Sequence, residues 1–80
     1  MNDVEIEIIL KTKHYDGNLD LEDSGITSLG KLKSVSGNLY LQNTEIKSLE
    51  DIETVGRDIY LSTDSEIKIP DRFMDKIKWV

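Results

Sequence analysis

The chain has no cysteine and one histidine in 80 residues, so it forms neither a disulfide nor a thiolate zinc site, and His14 alone builds no histidine cluster. No metal and no other cofactor is expected. No apolar run approaches the roughly 18 residues of a membrane span. The opening MNDVEIEIIL carries acids where a secretory leader carries Lys or Arg, so a cytoplasmic protein without a membrane partner is expected. Positive charge is also scarce: ten Lys and Arg stand against sixteen Asp and Glu, for a net charge of −6. That balance opposes direct binding to nucleic-acid phosphates, which rests on Lys and Arg displacing counterions. It leaves a basic partner open.

Catalytic sets are equally thin. His14 beside Tyr15 and Asp16 resembles a base with an orienting acid, but no Ser or Cys in a nucleophile context accompanies it in sequence. Gly17-Asn18 and Gly37-Asn38 lack the glycine spacing and the Lys-Ser/Thr ending of a phosphate loop. Sixteen acids supply pairs such as Asp20 and Glu22 by chance, and these read as a solvated face. The expectation is therefore a protein that is not an enzyme.

What the chain does have is a repeat. GNLDLEDSGITSLGKLKSVS, residues 17–36, is followed directly by GNLYLQNTEIKSLEDIETVG, residues 37–56. At a spacing of 20, Leu19 falls over Leu39, Leu21 over Leu41, Ile26 over Ile46, Leu29 over Leu49, Leu32 over Ile52 and Val35 over Val55. The columns run forward through Ile59 and Leu61 and, after one inserted residue in STDSE, through Ile67, Pro70 and Phe73. Backward they reach Ile6, Ile9 and Tyr15. The whole chain, 1–80, reads as a single repeat domain: an N-terminal strand and partial coil at 1–16, coils at 17–36 and 37–56, and a last coil with a C-terminal cap at 57–80. Eighty residues bury only a marginal core, and stacking identical units is one way to extend it.

Twenty residues are too few for the usual two-helix repeats. Leu19-Asp20-Leu21, Leu39-Tyr40-Leu41 and Ile59-Tyr60-Leu61 alternate apolar with polar, the period of a strand with one buried face. One parallel strand per coil, stacked at about 4.8 Å, makes a continuous sheet. The second half of each unit spaces its apolar residues by three, which suits a 3₁₀ turn, a short helix or a turning coil. Gly17 and Gly37 precede the strand, and the third glycine moves one place, to Gly56. At the front, Val4, Ile6, Ile8 and Leu10 alternate with Glu5 and Glu7, broken only by Ile9, so a strand pairing along or across the first coil is expected. At the back, IPDRFMDKIKWV gathers Phe73, Met74, Ile77, Trp79 and Val80 into a cap, with a short helix opening at Asp71. A two-fold homodimer through either end is expected, because an open stack leaves edges wanting partners.

The outward positions of the strands form three columns: Asn18, Asn38 and Asp58; Asp20, Tyr40 and Tyr60; Glu22, Gln42 and Ser62. Stacked parallel strands put these nine on one flat or concave face, the candidate partner-binding surface. Tyr40 and Tyr60 become neighbours on an acidic strip, as interface anchors or as a sheet-stabilising pair. The column of Thr27, Lys47 and Lys68 reads as ordinary solvated surface. The function expected is a non-catalytic protein–protein interaction module. The alternative is an acidic nucleic-acid mimic that occupies the basic site of a nucleic-acid-binding enzyme.

The string L-x-L-x-x-[ST]-x-I, present as LDLEDSGI and LYLQNTEI, resembles the core of leucine-rich repeats. The longer phrase SLxxLxxVxGNLYL is similar to the receptor L-domain variety and to small uncharacterised repeat proteins of bacteria and their phages. The resemblance implies a mainly β fold: a short right-handed β-solenoid of about 20-residue coils with a parallel sheet and a small C-terminal cap. It implies that Ser24, Thr44 and Asp64 tie their side chains to the turn after each strand, and it suggests a phage-encoded inhibitor of a host protein. The chain departs from the pattern in lacking the usual turn Asn, in having proline only at Pro70, and in the insertion within its third unit.

Overall fold

The computed structural model describes residues 3–49 and 52–80. The elements in chain order are α1 (Asp3–Ile9), β1 (His14–Tyr15), β2 (Leu19–Asp20), β3 (Ser34–Val35), β4 (Leu39–Tyr40), β5 (Thr54–Val55), β6 (Ile59–Leu61), a 3₁₀ helix (Asp71–Lys76) and β7 (Ile77–Trp79). The strands make two parallel sheets, β1-β3-β5 and β2-β4-β6-β7. In the first, His14 pairs with Ser34 and Ser34 with Thr54, while Tyr15 pairs with Val35 and Val35 with Val55. In the second, Leu19, Leu39 and Ile59 form one row and Asp20, Tyr40 and Tyr60 another. Every one of these pairings joins residues 20 apart, so the sequence repeat is also the hydrogen-bonding register.

The alternation within each strand sets what is buried. Leu19, Leu21, Leu39, Leu41, Ile59 and Leu61 turn inward and are at most 1% exposed, and Leu29, Leu32, Val35, Ile46, Leu49, Ile52 and Val55 meet them in one cluster. Each such side chain contributes about 1.5–3 kcal/mol through removal from water. Between the strands the chain turns irregularly, with Leu32 N–H donating to the Leu29 carbonyl and Ile52 N–H to the Leu49 carbonyl.

Glycine is required where neighbouring repeats touch. A Cβ at Gly37 would lie 2.7 Å from the Gly17 carbonyl oxygen, because Gly37 N–H donates to that carbonyl at 3.0 Å. Gly56 lies against the Ser36 backbone instead, which accounts for the glycine that moved one place.

Two expectations are corrected and one is extended. The N-terminal strand is a helix, α1, and Met1 and Asn2 of that segment lie outside the described residues. Helical turns bring Ile6, Ile9 and Leu10 to the core side and leave Val4 and Ile8 outside, so the apparent alternation was a mixture of two faces. Asp3 and Glu5 in its first turn suit the positive end of the helix. The C-terminal segment is more than a helical cap. After the 3₁₀ helix that opens at Asp71, β7 adds a fourth strand, with Ile59 opposite Ile77, Tyr60 opposite Lys78 and Leu61 opposite Trp79. Phe73 is buried in the core cluster, while Met74, Trp79 and Val80 stay half exposed or more. Finally, the inserted residue is absorbed early: Lys68 bridges to Ser48, not Lys47.

Candidate interaction face

The outward face of β2, β4 and β6 carries the nine residues singled out above, and the fold uses them unequally. Asn18 and Asn38 brace the backbone. Asn18 Oδ1 accepts the Asn38 N–H at 2.8 Å, and Asn38 Oδ1 accepts the Asp58 N–H at 3.0 Å. The same side-chain bond thus recurs one repeat further on. Asn38 also donates through Nδ2 to the Tyr40 hydroxyl at 3.2 Å, which holds that ring in place.

Tyr40 and Tyr60 stack with ring centroids 4.7 Å apart and planes 11° from parallel, a distance set by the strand spacing beneath them. Both are half-buried. The row continues past them: Lys78 on β7 pairs with Tyr60, so the order across the face is Asp20, Tyr40, Tyr60, Lys78. Sequence columns missed Lys78 because β7 pairs with β6 at an offset of 18, from Ile59 to Ile77.

The third column sits where the strands turn away. Asp20 Oδ1 accepts the Glu22 N–H at 3.0 Å, fixing the first turn. Glu22 is exposed; Gln42 is half-buried, and its buried Oε1 has no hydrogen-bond partner among the described residues. Ser62 Oγ accepts the Asn43 N–H at 3.1 Å. Asp23 and Asn43 hold φ of 59° and 57°, the left-handed conformation that short polar side chains tolerate best, and Asn43 Nδ2 donates to Asp23 Oδ1 at 2.8 Å. This second side-chain ladder was visible as one more column at a spacing of 20. Asp3, Asp20, Glu22 and Asp23 line a cleft of about 340 Å³ between α1 and the first turn, together with Ile6 and Ser24.

Of the turn residues, Thr44 behaves as the resemblance implies, its Oγ1 donating to the Leu41 carbonyl at 2.9 Å. Ser24 Oγ is buried and has no hydrogen-bond partner among the described residues. Asp64 is exposed, and in that repeat the half-buried serine is Ser65, whose Oγ accepts the Ile67 N–H at 3.4 Å.

On the other sheet the structure supplies what the sequence around His14 lacked. Ser34 is paired with His14 across β1 and β3, and its Oγ meets His14 Nδ1 while Asp16 Oδ1 lies 2.8 Å from Nε2. Serine, imidazole and carboxylate are therefore in line. The His14 and Asp16 side chains are 52% and 89% exposed, so water screens the contact between them. The Ser34 N–H is already given to the Lys13 carbonyl, which removes the nearest donor to an oxyanion. Among the described residues, no group of three or more His, Asp or Glu is arranged to hold a metal ion, and no helix is long and apolar enough to cross a membrane.

In comparisons with known proteins, no family model, no curated protein and no solved structure matches the chain.

Proposed function

We propose that the chain is a short right-handed solenoid of leucine-rich-repeat type that acts in the cytoplasm as a non-catalytic protein-binding module. The observation that carries this reading is the stacked pair Tyr40 and Tyr60 on an outward sheet face. Two rings that already hold each other lose little freedom when a partner covers them, and each offers a broad apolar surface with a polar tip. Asp20, Glu22 and Asp58 around them attract a basic partner and speed its encounter. An inhibitor of a host protein, phage-encoded or otherwise, needs nothing beyond such occupancy.

The test is to change both tyrosines to Ser and measure binding to a partner retained by the wild-type protein, alongside thermal melting of the variant. Lost binding with a nearly unchanged melt supports the module. Equal losses of folding and binding make the stack a structural device.

A second reading, the nucleic-acid mimic, draws on the four carboxylates lining the cleft beside α1. It calls for competition with DNA or RNA at a basic enzyme site, and for that competition to fade steeply as salt rises. Binding that resists salt and depends on the tyrosines speaks for the first reading.

A further inference from the structure

Among the described residues, the large hydrophobic side chains left exposed are Val4 at 65%, Ile8 at 59%, Met74 at 57%, Trp79 at 50% and Val80 at 57%. All of them lie in the terminal elements: Val4 and Ile8 on α1, Met74 on the 3₁₀ helix, Trp79 on β7 and Val80 just after it. The repeats between expose none of this kind.

The two ends differ in charge. Val4 and Ile8, four residues apart, share one face of α1, flanked by Glu5 and Glu7, and the helix has no basic residue. At the other end, the 3₁₀ helix and β7 carry Arg72, Lys76 and Lys78 against Asp71 and Asp75, a small positive excess, and no acid lies between Lys76 and Val80. β7 is also the last strand of its sheet. The Val80 N–H and carbonyl bond back to Leu61 and Thr63, and by strand alternation the main-chain groups of Ile77 and Trp79 face outward.

We propose that the occupant of the β7 end is α1 of a second copy, so that the protein associates head to tail. A two-fold pairing of β7 with itself sets Lys78 against Lys78, and a two-fold pairing of α1 sets glutamate against glutamate; both repel. The heterologous contact alone joins opposite charges and covers both apolar patches at once. Such a contact does not close on two copies, and it adds further ones in a row. The faces are small, so the association is weak, concentration-dependent and salt-sensitive.

Sedimentation velocity of the full chain over a rising concentration series tests this. The weight-average mass is expected to climb beyond that of a dimer without a plateau, and to fall back when salt is added. Emission from Trp79, the one tryptophan, is expected to shift to the blue over the same range. Glu7→Lys and Lys78→Glu, both at exposed positions, are each expected to stay monomeric with a wild-type melt. Mixed in equal amounts, the two variants offer a swapped and a native charge pair in alternation, and growth is expected to return. A plateau at twice the monomer mass, a monomeric wild type across the series, or a mixture that stays monomeric overturns the proposal.

Discussion

Tyr60 lies directly across the sheet from Tyr40, one repeat later, and the rings stack at 4.7 Å while Asn38 holds the Tyr40 hydroxyl. The pair is therefore a coupled unit. In a double-mutant cycle with Tyr40→Ser and Tyr60→Ser, urea melts are expected to give a coupling of about 0.5–1.5 kcal/mol. Loss of both rings is expected to weaken partner binding by more than about tenfold, the scale of a buried aromatic anchor.

Leu41 is 1% exposed and Leu49 is fully buried, so truncating either to Ala leaves a cavity that the two sheets cannot close. Each is expected to cost about 2–5 kcal/mol. Glu45→Ala, on an exposed neighbour, is expected to stay within about 0.5 kcal/mol. If chemical denaturation finds all three alike, the assignment of the inward columns is wrong.

Asn18 tests the side-chain ladder. Asn18→Ala removes the acceptor for the Asn38 N–H and is expected to cost about 1 kcal/mol, whereas Asn18→Asp keeps an oxygen in place and is expected to cost less. Amide exchange at Asn38 is the sharper readout. It should accelerate in the Ala variant and stay slow in the Asp variant.

Gly37→Ala places a methyl group against Asn18 Oδ1, which can swing aside, and against the Gly17 backbone, which cannot. The expected cost is about 1–3 kcal/mol. Thr27→Ala, exposed and distant from such an approach, serves as the control, and equal melting temperatures for the two would remove the argument from close packing.

Much of this architecture was legible because the inward residues recur every 20 positions and the pairing follows the same count, from Leu19 to Leu39 to Ile59. The legibility fails where the count fails. β7 pairs at an offset of 18, so Lys78 and Trp79 fall in no column. α1 was misread because Val4, Ile6, Ile8 and Leu10 satisfy two periods: alternate residues share a strand face, while Val4 with Ile8 and Ile6 with Leu10 share helix faces. Ile9, which breaks the alternation, was the residue that favoured the helix. The candidate face was located by its columns, but a polar outward residue reads the same whether it serves a partner or the neighbouring backbone. Only hydrogen bonds separated Asn18 and Asn38, which brace the next repeat, from Asp20, which braces its own turn, and from Glu22, which supplies that turn's N–H. Ser34 stands one repeat after His14, in strands of two residues that are too short to show an alternating pattern in sequence.

The constant pairing distance also governs how the chain reaches this arrangement. From β2 to β4 and from β4 to β6, each new strand closes a loop of the same 20 residues, so every step meets the same loss of chain freedom and none waits for a partner from the far end. Folding of this kind resembles a zipper with equal teeth. Growth is then expected to start at the junction of any two repeats and to run in either direction, with the first closure as the slow step, because each later strand finds its template already laid.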